Sequence, residues 1–145
     1  MTQEDKDLLL KDLCARLPYG IKASYYGSEE ERETWDEIES ITFDGYVDIG
    51  QYSLPIERIK PYLFPLSSMT EEEFDKLKEY GKLEYDNLDL VSFHNGTYKM
   101  LDFYLNGVPS GAVIRVFDWL NKNHFDYRGL IESGLAIDAT GLNIY

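Results

Sequence analysis

Near the N-terminus, Leu10, Leu13, Cys14 and Leu17 stand at i, i+3, i+4 and i+7. That spacing lines one face of an α-helix and predicts a helix over 5–17 with Cys14 packed into the core as a small apolar side chain. Pro18 and Gly20 end it. The period then changes to two: Ile21, Ala23 and Tyr25 alternate with Lys22 and Ser24, which predicts a strand over 21–26. Residues 28–37 are mostly charged. Ser28 and Glu31 fit a capping box, but only Trp35 and Ile38 offer an apolar face, so a solvated loop or a single helical turn is predicted. Ile41 and Phe43, then Tyr46 and Val47, flank Asp44-Gly45, a pair suited to a two-residue hairpin turn. A further short strand is predicted over 51–56.

Pro61 and Pro65 forbid a continuous helix or a central strand, so 60–66 is predicted to lie extended over the core through Tyr62, Leu63 and Phe64. The clearest local signal follows. Thr70 and Glu73 form a capping box, Met69 and Phe74 occupy the positions of a hydrophobic staple, and three glutamates suit the positive end of the helix dipole. This helix runs to about Tyr80 and stops at Gly81. Asn95-Gly96 predicts a second hairpin in which His94 faces Thr97, Phe93 faces Tyr98 and Val91 faces Met100. After a connector containing Pro109, Ser110 begins a long helix with the stripe Val113, Val116, Phe117, Leu120. Asp126 is then placed to cap a short helix over 127–133, closed by Gly134. The order of elements predicts an α+β fold, with an antiparallel sheet of two or more hairpins packed with about four helices. It predicts one compact domain over 1–145, divisible into a β-rich part, 1–66, and a part of helix, hairpin and C-terminal helices, 67–145.

The chain has 145 residues, 43% of them hydrophobic, which is enough to build a core without staples. Twenty-seven acidic residues against 14 basic ones give a net charge of −13. That balance opposes binding to a phosphate backbone or an anionic membrane surface, both of which require clustered cations. Cys14 is the single cysteine, so a disulfide scaffold is excluded. No apolar run approaches the roughly 20 residues that cross a bilayer, and the acidic start is unlike a signal peptide. A cytoplasmic, reducing setting is expected.

Two strings have a recognisable character: Lys60-Pro61-Tyr62-Leu63-Phe64-Pro65-Leu66-Ser67-Ser68-Met69-Thr70-Glu71-Glu72-Glu73, and the run from Asp118-Trp119-Leu120-Asn121 through His124-Phe125-Asp126-Tyr127-Arg128-Gly129-Leu130-Ile131. With the opening 11–22, they resemble a group of small uncharacterised proteins of gut Bacteroides-type bacteria and their phages. The resemblance implies a bacterial or phage cytoplasm and an accessory role on a mobile element. It transfers no activity, cofactor or catalytic residue.

Candidate chemistry is sparse. His94, His124 and Cys14 lack metal-ligand spacing, and neither a P-loop nor a dinucleotide fingerprint is present, so no metal and no cofactor are expected. The densest polar set is His124, Asp126, Tyr127 and Arg128: an imidazole a carboxylate could orient, a phenol, and a guanidinium able to hold an anion. The structural alternative has His124 ending the long helix, Asp126 capping the next and Arg128 pairing with acidic neighbours. Tyr25, Tyr26, Tyr46, Tyr52, Tyr62, Tyr98, Tyr104 and Tyr127 could form a partly wet interface. The function expected is a non-enzymatic interaction protein, binding a host or defence protein through an acidic, Tyr-rich surface that would suit a basic partner. The alternatives are a small-molecule binding or hydrolytic domain around 124–128 and an acidic nucleic-acid mimic.

Overall fold

A computed structural model describes residues 1–26, 34–81, 91–94, 97–100 and 110–145; for 91–94, 97–100 and 110 it describes the backbone. The fold is mixed α+β, with an antiparallel sheet built from hairpins and packed against several helices. The chain divides into two compact units, one formed by 1–63 with 128–145 and the other by 64–127.

In the first unit, helix α1 (Gln3–Arg16) begins at a capping box in which Thr2 and Asp5 exchange hydrogen bonds. Strands β1 (Lys22–Tyr25), β2 (Thr34–Ile41), β3 (Tyr46–Ile49) and β4 (Tyr52–Pro55) follow. Each pairs antiparallel with the next, and β1 also pairs antiparallel with β5 (Ile59–Pro65). A two-residue strand, β9 (Ile137–Asp138), joins β5 in parallel at Tyr62 and Leu63. Leu9 and Leu13 pack with Ile21, Ala23, Ile38, Val47, Ile49, Ile59 and Leu63 in one buried cluster. Each such Leu, Ile or Val side chain contributes about 2 kcal/mol of transfer free energy.

The buried face of α1 is Leu9, Asp12, Leu13 and Arg16, not the stripe that includes Cys14. Cys14 is exposed, because it lies one residue, about 100° of helix, away from Leu13. The two charges on this face are compensated by an ion pair inside the core. Arg16 Nε donates to Asp12 Oδ2 at 2.7 Å and its Nη2 donates to Oδ1 at 3.0 Å, with both side chains wholly buried. Arg128 places its Nε 3.2 Å from the same Oδ1, so one carboxylate serves two cations.

Further expectations are corrected. The charged segment ending in Thr34–Glu37 is strand, not loop, over its described part: Thr34 to Glu37 register against Tyr25 to Lys22. Only Ile38 of β2 is buried, so the strand is held by its ladders to β1 and β3 and shows almost no apolar alternation. The hairpin at Asp44-Gly45 has a three-residue loop. Thr42 N–H donates to Tyr46 O at 2.8 Å, Gly45 N–H donates to Thr42 O at 3.1 Å, and Gly45 takes φ +84°. That is a tight turn closed by a left-handed glycine, and the Thr42 hydroxyl fixes it by accepting Tyr46 N–H at 3.0 Å.

Finally, β5 is an inner strand despite its two prolines. Successive residues of a strand present their backbone groups to opposite sides. The Tyr62 carbonyl is linked to Lys22 N–H of β1 through the Tyr145 hydroxyl, so the nitrogen of Pro61 belongs to the side away from β1. In the second unit Phe64 N–H donates to His124 O, which likewise turns the Pro65 nitrogen away from that partner. Prolines four apart share one parity, and neither interrupts the ladder it adjoins.

No helix forms over 127–133; the chain turns instead, because Gly129 adopts φ +75°. Gly134 still acts as a stop. Leu135 N–H donates to Leu130 O at 2.9 Å and Gly134 N–H to Ile131 O at 3.0 Å, the bond pair that closes a helical end, here after a single turn.

In the second unit, α2 (Glu71–Gly81) starts at the expected capping box: Glu73 N–H donates to Thr70 Oγ1 at 3.2 Å and Thr70 N–H donates to Glu73 Oε2 at 2.8 Å. Strands β6 (Val91–His94) and β7 (Thr97–Met100) pair in the expected register as a separate two-stranded sheet. Their turn, Asn95-Gly96, and the connector with Pro109 lie outside the described residues, as do Ser28, Glu31 and Tyr104. Helix α3 (Ser110–Lys122) buries Val116, Trp119 and Leu120 against Met69, Leu77 and Phe125, with Phe74 packed alongside. Strand β8 (Phe125–Asp126) joins the end of β5 in parallel at Phe64 and Pro65.

Candidate functional site

The polar set after Trp119 is placed residue by residue. His124 ends α3 in the left-handed conformation, φ +60°, where glycine is usual. Its N–H donates to Asn121 O at 3.1 Å and its carbonyl accepts Phe64 N–H at 2.9 Å. The imidazole is buried, so the residue closes the helix through its backbone while its ring lies inside. Asp126 is buried within β8 rather than at a helix start. Tyr127 is half-buried; its hydroxyl donates to Asn121 Oδ1 at 3.0 Å and its ring meets Phe117 at 4.9 Å between centroids. Arg128 belongs to the first unit, against Asp12.

Concave surface occurs elsewhere. In the second unit, a shallow hollow of about 580 Å³ is lined by Lys76, Glu79, Tyr80, Arg115 and Trp119. Arg115 is committed there to capping α2, since its Nε and Nη2 donate to Gly81 O at 3.1 and 3.0 Å. In the first unit, a cleft of about 400 Å³ lies along α1 and the two turns bounding β3 and β4. Leu10, Phe43, Tyr46, Pro55 and Ile56 supply its apolar lining and Lys6, Asp7, Asp44 and Glu57 its charges. Neither hollow is lined by His124, Asp126, Tyr127 or Arg128.

The tyrosines divide by environment. Tyr25 and Tyr62 are core residues, whereas Tyr26 and Tyr46 are exposed. The exposed aromatic set also contains Trp35, Tyr80, Tyr145 and above all Phe43, which is 101% exposed. Sequence reasoning placed Phe43 on a strand; the signal for its exposure is the three-residue loop Phe43-Asp44-Gly45, which carries it to the hairpin tip. Electrostatics around the cleft are set locally. Lys6 pairs with Glu57 and holds that carboxyl below the usual carboxylate range. Asp7 accepts from Gln3 Nε2 at 2.9 Å, and Asp44 Oδ1 accepts the Thr42 hydroxyl at 2.5 Å.

Comparison with protein-family models, with curated proteins and with solved structures gives no match. Among the described residues, no helix is long and apolar enough to cross a membrane, and no group of three or more His, Cys, Asp or Glu side chains is placed to hold a metal ion.

Proposed function

We propose that this chain is a non-enzymatic interaction protein of a bacterial or phage cytoplasm, binding a protein partner through an acidic surface that carries exposed aromatic rings. The observation that supports it most is Phe43, fully exposed at a hairpin tip beside a half-exposed Tyr46. A buried phenylalanine contributes about 2 kcal/mol, and folding leaves that contribution unused here. Exposed aromatic residues over a charged rim are the composition of protein interfaces, where rings supply most of the energy and rim charges steer association. The net charge of −13 favours a partner of opposite sign and predicts salt-sensitive capture.

The test is affinity capture with the full chain as bait in a lysate of a gut Bacteroides-type bacterium. A stoichiometric partner recovered at low salt and released at high salt is expected. Recovery of no partner at any salt concentration ends this reading.

A further inference from the structure

We infer that the cleft beside Phe43 in the first unit is a docking groove for an arginine-bearing, apolar peptide segment of the partner. This rests on the interaction reading above and specifies its contact. Three observations converge on the occupant. The volume, about 400 Å³, falls in the range of about 300–1,000 Å³ in which proteins hold small ligands, so it can take a side chain as long as arginine's. The charges do not cancel: Lys6 is consumed by Glu57, while Asp7 and Asp44 have no cationic partner among the described residues. A cation entering the groove therefore meets two carboxylates and no competing free ammonium.

The aromatic component selects the kind of cation. Phe43 and Tyr46 present ring surface at the same cleft, and an arginine can stack its flat guanidinium on a ring while its N–H fork reaches a carboxylate. Lysine offers a point charge without the stacking plane and stays more strongly hydrated. Leu10 and Ile56 supply apolar lining with no polar demand, which suits an aliphatic side chain next to the arginine. The same chemistry disfavours an acidic segment, whose carboxylates would face Asp7 and Asp44 without compensation.

The probe is a fluorescein-labelled peptide of alternating arginine and leucine, titrated into the full chain and read by anisotropy, with a glutamate–leucine peptide as its counterpart. Saturable binding of the first and none of the second is expected, with amide shifts at 43–46 and at 56 and 57. Phe43→Ser and Asp44→Asn are each expected to weaken binding about ten-fold, the scale of one ring–cation or charge contact. Both variants should melt as the parent does, because Phe43 is wholly outside the core and asparagine keeps an acceptor for Thr42. Failure of the arginine–leucine peptide to bind, or equal affinity for the parent and both variants, overturns the inference. Capture of the same lysate partner by Phe43→Ser bait as by the parent also overturns it while leaving the broader interaction reading intact; an empty capture with the parent bait removes that reading itself.

Discussion

Asp12 and Arg16 share a two-pronged ion pair on one turn of α1, both side chains wholly out of solvent, and Arg128 approaches the same carboxylate from the far end of the chain. Removing the anion strands two cations; removing Arg16 leaves Asp12 with Arg128. Asp12→Ala should therefore destabilise the protein by about 3–5 kcal/mol, the range for breaking a buried pair, and Arg16→Met by clearly less. Urea denaturation followed by circular dichroism orders the two variants. Equal losses would show that Arg128 is not a working counter-ion.

Gly50 and Gly141 make a matched comparison, since both adopt positive φ, +56° and +76°. A Cβ on Gly50 would lie 2.8 Å from the Tyr25 hydroxyl oxygen, whereas one on Gly141 would meet nothing within 4 Å. Gly141→Ala should cost about 1 kcal/mol, from backbone conformation alone. Gly50→Ala should lower the thermal midpoint further, because the buried Tyr25 ring must shift. Indistinguishable midpoints would mean that this ring moves freely.

Tyr145 inserts its hydroxyl between two strands, accepting Lys22 N–H at 3.1 Å and donating to Tyr62 O at 2.9 Å. Tyr145→Phe deprives both backbone groups of that partner and should cost about 1 kcal/mol near neutral pH. Desolvation holds the phenol of Tyr145 protonated well above its ordinary range. A raised folded-state pKa adds stability that is complete below the unfolded value, about 10, and is lost as pH climbs through the folded one. Tyr80 shifts the same way through its bond to Asp118, so the informative quantity is the difference between parent and variant. The parent should lose stability more steeply above that pH than Tyr145→Phe, and parallel curves would refute the assignment.

Asp48 accepts hydrogen bonds from Ser40 and Ser53, and these hold its carboxyl below the usual range. A depressed pKa adds stability that is present above the unfolded value and fades as pH falls through the folded one, so this contribution disappears only in acid. Carboxyl-detected NMR should give Asp48 a midpoint below about 3.9. Ser40→Ala should move it upward, and an unmoved midpoint would exclude Ser40 as the main cause.

The readable features were those whose partners are near in sequence. Thr70 and Glu73 cap α2 as their spacing requires, and the hairpin β6–β7 has the register that places Phe93 against Tyr98. Asp12 and Arg16 carry no local sign of burial, because charge on a helix face ordinarily marks solvent, and the second cation beside their carboxylate comes from Arg128, beyond any local window. The first half of β2 looks like a loop because only Ile38 is buried; backbone pairing on two sides defines it. Strands β8 and β9, two residues each, are too short to carry a period. At the candidate site, the residues of the cleft come from α1 and two separate turns, and Phe43 reaches the surface only because the loop is one residue longer than Asp44-Gly45 implies.

The first unit is discontinuous: residues 64–127 are translated between the body of its sheet and the tail that completes it. Strand β5 leaves the ribosome well before Ala139, whose N–H caps the Leu63 carbonyl, and before the Tyr145 hydroxyl that joins Tyr62 to Lys22. In that interval the nascent chain carries a bare strand edge of the sort that recruits other polypeptides. The pace of elongation through the intervening residues thus sets how long this edge waits, and slow codons there would lengthen its exposure to chaperones and to aggregation.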